Sequence, residues 1–160
     1  MPGVFELRSP ADLLAKLERE LERLRAAPND VDHAFNFFVT AEHMLDWLHP
    51  GDEGRARRAE IRNAEPLLQL VSHLASGAKH FDNLSAHHQS VARSGMVRRH
   101  PSFKMRRMVP DQLQVQAVGA AGLAIGGSSI SVIALAERVY TYWKAAYPSD
   151  RPDERRHQLQ

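Results

Sequence analysis

The stretch "DVDHAFNFFVTAEHMLDWLHPG", residues 30–51, decides the fold, because it is the most aromatic part of the chain and repeats its apolar residues at helical spacing. This spacing predicts a helix that begins at Asp30 or Asp32 and runs to about Leu48. Pro50 and Gly51 then end it, since proline removes a backbone donor and glycine permits a left-handed turn. We expect this helix at the centre of the core, with a buried stripe made of Ala34, Phe38, Ala41, Leu45 and Leu48, widened by Phe35, Phe37, Met44 and Trp47.

A second helix is predicted near the N-terminus. Ser9 has the side chain of an N-cap, Pro10 suits the first helical position, and Asp12 completes the start signal. Leucines at helical spacing follow, up to the stop at residues 26–30 ("AAPND"), and they predict one buried face: Leu13, Leu17, Leu21 and Leu24.

Three further helices are predicted. Residues 52–65 form a short charged helix, and Pro66 starts a better one. The final helix covers "VIALAERVYTYWKAAY", residues 132–147. The buried stripe predicted for the helix that Pro66 starts consists of Leu67, Val71, Leu74, Ala78 and Phe81.

Residues 82–110 lose this periodicity and are predicted to form a loop, whereas residues 113–119, 122–125 and 129–133 have β character, with Gly126-Gly127 as a hairpin turn. The predicted fold class is mainly α: a four- to five-helix bundle with a small β-hairpin before the C-terminal helix. We expect one domain over residues 1–147 and a disordered tail over residues 148–160.

Composition excludes several functions. The chain of 160 residues contains no Cys, which excludes disulfides, a thiol nucleophile and Cys-ligated zinc. The N-terminus lacks a secretory signal pattern, so we expect a cytoplasmic protein. The uncharged stretch from Gln112 to Ala136 is long enough for a membrane span but is rich in Gly, Ser and Gln, so no membrane association is predicted. No cofactor is predicted.

One candidate site lies in "HLASGAKHF", residues 73–81. A helical step of 100° places His73 and His80 about two turns apart on one side, with Lys79 on an adjacent strip. These groups point away from the predicted apolar stripe, so a histidine acting as general base and Lys79 stabilising an anion form one hypothesis. The alternative is an ordinary face exposed to water.

No metal site is predicted. His73 and His80 are seven residues apart, too far for the i, i+4 pairing by which one helix binds a metal. Glu42 and Asp46 are four apart with His43 beside them, but the chain lacks the paired Glu-x-x-His motifs typical of bundle metal sites.

The basic segment between residues 93 and 107 is the strongest electrostatic feature of the chain. Its six cations, with Phe103 among them, suggest binding of nucleic-acid phosphates, and they are Arg93, Arg98, Arg99, Lys104, Arg106 and Arg107. An acidic protein partner fits the same charges. A solvated loop, or one whose charges pair with acids of the first helix, is the other alternative.

Three segments resemble a family of small uncharacterised bacterial and phage proteins. "FNFFVTAEHMLDW" matches a shared Phe-Asn-Phe-x-Val-Thr-Ala-x-His-x-x-Asp-Trp core, and "ASGAKHF" resembles an Ala-Asn-Gly-x-Lys-His-Phe helix, with Ser76 in place of the Asn. The third segment, "VIALAERVYTYWKAAY", resembles the closing helix of that family, which ends in an aromatic-Trp pair.

That family is in turn distantly similar to HEPN domains, helical bundles that often act as metal-independent ribonucleases, commonly as dimers. The resemblance implies that His80 is the catalytic histidine and that the protein acts on RNA, with a homodimer expected. Ser72 and Ser76 replace the Arg and Asn that the family has upstream, so the sequence leaves enzymatic activity open. The alternatives are a non-enzymatic protein-interaction module with a basic loop and, third, a small-molecule enzyme.

Overall fold

A computed structural model of the chain describes residues 7–79, 103–108, 112–117, 126 and 129–147, with the backbone alone for 77–79, 103–108 and 112. Within this part of the chain lie five helices and three strands. The helices are α1 (Pro10–Ala26), α2 (Val31–Leu48), α3 (Arg55–Ala64), α4 (Pro66–Lys79) and α5 (Val132–Ala146). The strands are β1 (Phe103–Met108), β2 (Gln112–Ala117) and β3 (Ser129–Ser131). The mainly α fold class is thereby confirmed.

The predicted starts of the first two helices are confirmed by their caps. The Ser9 hydroxyl accepts from the backbone N–H of Asp12, and the Asp12 carboxylate accepts from the backbone N–H of Ser9. Two N–H groups that have no acceptor within the helix are thereby satisfied. Asp30 caps α2 by accepting from the backbone N–H groups of Asp32 and His33. α2 ends at Leu48, as the sequence predicts.

The central position of α2 is also confirmed, since it packs against α1, α4 and α5. Phe37 is completely buried, but Phe35 is 39% exposed and does not belong to the core, contrary to the prediction. On α4 the core is broader than the predicted stripe, because Leu68 and Leu70 are buried in addition to Val71 and Leu74. The reason is that α4 packs against α2, α3 and α5, so neighbours cover more than one of its sides.

The β structure is a three-stranded antiparallel sheet of order β1-β2-β3. The pairing of β2 with β3 confirms a hairpin before the C-terminal helix, and Gly126, between them, has a φ of +74°. The strand predicted over residues 122–125 lies outside the described residues. The loop predicted over residues 82–110 is wrong at Phe103–Met108, which form β1 and pair with β2 along its whole length. β3 is shorter than predicted, because Ser131 already caps α5 by accepting from the N–H of Ala134.

The uncharged stretch from Gln112 to Ala136 is divided among β2, β3 and the start of α5. None of the helices within the described residues has the length and the apolar character needed to cross a membrane. Residues 148–160, predicted to be a disordered tail, lie outside the described residues.

Burial predicts a large loss of stability for one phenylalanine of α2 and a small change for another. Phe37→Ala removes a completely buried ring and is expected to lower the free energy of unfolding by about 3 to 5 kcal/mol. Phe35→Ala, the control on the same helix, is expected to change it by less than about 1 kcal/mol. Urea unfolding followed by circular dichroism measures both, and equal losses in the two variants would contradict this packing.

Candidate nucleic-acid interface

The α4 face proposed as catalytic is only partly described. His73 and Ser76 are half-buried. The side chain of Lys79, at the end of α4, and all of His80 lie outside what the structure describes. The grouping of His73, Lys79 and His80 therefore stays a prediction.

Ser72, on the adjacent strip, does not simply face water. Its hydroxyl donates a hydrogen bond to the carboxylate of Glu42 on α2. Part of the polar surface of α4 is thus used to join two helices, so Ser72 has a structural partner.

Glu42 forms a second contact, with α3. The Nη2 group of Arg62 donates to Glu42 Oε1 at 2.6 Å, and the two side chains are 28% and 15% exposed. Burial raises the pKa of Glu42, and this outweighs the attraction of Arg62 and the hydrogen bonds from Arg62 and Ser72. Glu42 is thus a largely desolvated carboxylate held by α3 and α4 together.

A parallel contact lies one turn further along α2. Arg58 Nε lies 3.2 Å from Asp46 Oδ1, and Asp46 Oδ2 lies 3.1 Å from His43 Nδ1. Arg58 and Arg62 are four residues apart on α3, as Asp46 and Glu42 are on α2, so the two pairs hold the helices together at adjacent turns. The carboxylates weighed above as a partial metal face are therefore bonded to arginines. No group of three or more His, Asp or Glu residues suited to a metal occurs within the described ranges.

The acids of α1 also have partners in the bundle. Glu20 is 4% exposed and accepts from Lys16 at 2.9 Å and Arg23 at 2.8 Å. Glu22 pairs with Arg25, and Glu18 forms a hydrogen bond with Tyr140. Asp12 is part of the helix cap. The alternative in which α1 neutralises the basic segment concerns cations whose side chains lie outside what the structure describes, so it stays a prediction.

The basic segment is divided by the structure. Arg93, Arg98 and Arg99 lie outside the described residues. Lys104, Arg106 and Arg107 belong to β1, so the prediction that they lie in a loop is wrong. β1 was missed because the apolar-polar alternation of "FKMRRM" covers only its first four residues and breaks at Arg107, and its strand conformation depends on pairing with β2.

The register of the sheet separates two faces. Leu113, Val115 and Ala117 of β2 are buried, and so is Ile130 of β3. The alternate residues Gln114 and Gln116 are half-buried, as expected when one face of a sheet packs on a core and the other does not.

Two rows of polar residues cross this second face. In the first row, Lys104 of β1 stands opposite Gln116 of β2, and Gln116 stands opposite Ser129 of β3. In the second row, Arg106 stands opposite Gln114, and Gln114 stands opposite Ser131. Directly opposed residues of antiparallel strands share a face. We call the six residues of these rows the polar sheet face. Arg107, by contrast, stands opposite the buried Leu113 and belongs to the other register set.

Sequence reasoning missed both the Glu42–Arg62 pair and the polar sheet face. The strict alternation of "QLQVQA" is the signal for the polar sheet face, while matching i, i+4 charges on α2 and α3 are the signal for the ion pairs. Neither signal says which element is the partner.

Comparison of the chain with protein-family models, with curated proteins and with solved structures gave no match.

The ion pair between α2 and α3 predicts a loss of stability on its removal. Arg62→Gln leaves Glu42 largely buried without its cation and is expected to lower the free energy of unfolding by about 2 kcal/mol. Arg57→Gln is the control, because its pair with Glu60 on the same helix is exposed, and a change within about 0.5 kcal/mol is expected. Denaturant unfolding at neutral pH compares the two, and equal effects would contradict a structural role for Glu42.

Glu42 and Glu20 should contribute with opposite signs to the change of the free energy of unfolding with pH. Because its folded pKa is raised, Glu42 makes the free energy of unfolding fall as the pH rises from 4.5 through that pKa. Burial alone would raise the pKa of Glu20, but hydrogen bonds from Lys16 and Arg23 lower it, so its contribution is lost as the pH falls below 4.5.

Glu42→Gln should therefore remove a decline of stability above pH 4.5, and Glu20→Gln should remove a decline below it. Unfolding measured across this pH range against wild type tests both variants. If the free energy of unfolding of both variants changes with pH in parallel with that of wild type, below and above pH 4.5, the pKa directions given for Glu42 and Glu20 are contradicted.

Proposed function

We propose that this protein binds RNA through the polar sheet face. The observation that carries the proposal is the register, which brings Lys104 and Arg106 into rows with two glutamines and two serines on one face. Cations attract phosphates, while amides and hydroxyls form hydrogen bonds with sugars and bases. The chemistry of these rows thus suits a nucleic-acid chain.

The absence of acids from the sheet supports the same proposal. None of the three strands, "FKMRRM", "QLQVQA" and "SIS", contains Asp or Glu. A phosphate approaching this face therefore meets no carboxylate of the strands themselves. Most of the arginines of α3 and α1, by comparison, lie beside acids, as in the pairs Arg57–Glu60 and Arg25–Glu137.

A ribonuclease-like activity is the second candidate, because α4 packs against β1. This places the helix that carries His73, and that leads to His80, beside the basic strand. In this proposal His80 is the general base, His73 the second acid-base group and Lys79 an electrophilic helper, in keeping with the HEPN resemblance. The cytoplasmic location and the homodimer remain proposals of the same kind.

Neutralising the polar sheet face should weaken RNA binding. Lys104→Gln combined with Arg106→Gln is expected to reduce affinity for mixed RNA at low salt about tenfold or more, since two phosphate contacts are lost. Arg55→Gln combined with Arg57→Gln is the control: it removes the same number of cations from exposed positions of α3, and should change affinity less than threefold or so. Fluorescence anisotropy with labelled RNA measures each affinity.

The binding and cleavage measurements distinguish the candidate functions. Equal weakening by both double variants, or no RNA binding by wild type, would contradict the proposal. Binding of an acidic peptide in place of RNA would support the protein-interaction alternative. Cleavage of RNA in the presence of EDTA that is lost in His80→Ala would support the ribonuclease candidate.

A further inference from the structure

We propose that the polar sheet face binds an extended single strand rather than a duplex, with its phosphates along β1 and its bases across β2 and β3. This inference rests on the proposed RNA-binding function. It concerns which form of RNA is bound and how the chain lies on the sheet.

The one-sided distribution of charge is the first argument. Within the three strands, the cations of the polar sheet face occur on the edge strand β1 alone, while β2 and β3 contribute neutral amides and hydroxyls. A duplex presents two phosphate backbones, one on each side of a groove, and favours cations on both sides of its binding surface. A single strand presents phosphates on one side and bases on the other, which matches this asymmetry.

Spacing gives the second argument. Lys104 and Arg106 are two residues apart on β1, a distance of about 7 Å along a strand. That is comparable to the separation of successive phosphates in an extended nucleic-acid chain. Neighbouring strands lie about 5 Å apart, so β2 and β3 extend about 10 Å to the side of β1, within reach of the bases. Each row therefore corresponds to one nucleotide.

The chemistry of the rows is the third argument. The Ser129 hydroxyl donates to Gln114 Oε1 at 2.7 Å, which holds the amide oxygen and leaves the Nε2 group as the donor end. Amides read the hydrogen-bonding edges of unpaired bases, whereas the pairing edges of a duplex are already occupied and the deep major groove of A-form RNA excludes side chains. Gln114 is thus placed to contribute base preference, and Lys104 and Arg106 affinity.

The test compares labelled single strands of U, A and C with a duplex RNA of the same length, using the full chain and fluorescence anisotropy over a range of salt concentrations. Wild type is expected to bind the tightest single strand about tenfold more strongly than the duplex. In Lys104→Gln/Arg106→Gln the slope of log affinity against log salt should become shallower by about 1.4, since about 0.7 is expected per phosphate.

The glutamines supply the second readout. Gln114→Ala is expected to leave the salt slope unchanged and to alter the ratio of affinities among the three single strands by about 3- to 10-fold. Gln116→Ala, in the other row, is a second variant with the same expected effect. Circular dichroism verifies that each variant is folded.

Duplex binding as tight as single-strand binding would overturn this inference and leave the proposed RNA binding intact. Glutamine variants that bind all single strands with wild-type ratios would also overturn it. Failure of wild type to bind either form would instead reject the RNA-binding function itself.

Discussion

The alternation of apolar and polar residues along β2 is the constraint on which the rest of the structure depends. Leu113, Val115 and Ala117 are buried, and a shift of one residue in the register would exchange them for the glutamines between them. The backbone N–H of Leu113 also donates to the side chain of Asn29 at 3.0 Å, which joins the sheet to the α1–α2 connection. Because β1 pairs with β2 in this sheet, the register position of its cations follows from that alternation.

The helices supply the rigid frame that this arrangement needs. α5 begins directly after β3, with Ser131 serving both as the last residue of the strand and as the helix cap. Polar contacts between helices add to the apolar core: Lys16 of α1 donates to Thr40 of α2, and Arg25 forms a two-bond contact with Glu137 of α5. The sheet is therefore attached to a bundle whose helices are fixed relative to one another.

Local signals account for what the sequence predicts well. The bounds of α1 and α2 follow from caps and periodicity within each segment, as Ser9 and Asp30 show. The exposure of Phe35 and the strand at Phe103–Met108 depend on which distant element is the neighbour, and no local pattern contains that information. The candidate site shares this limit: the six cations can be recognised in the sequence, but the assignment of Lys104 and Arg106 to one face of the sheet and of Arg107 to the other depends on pairing with β2.

The central claim is that RNA meets the polar sheet face, and mapping of backbone amide chemical shifts by NMR tests it most directly. Titration of the labelled protein with a short single-stranded RNA should shift the amides of Lys104, Arg106, Gln114, Gln116 and Ser129, while those of α1 stay in place. Shifts confined to the helices, with the amides of the three strands unchanged, would contradict the account.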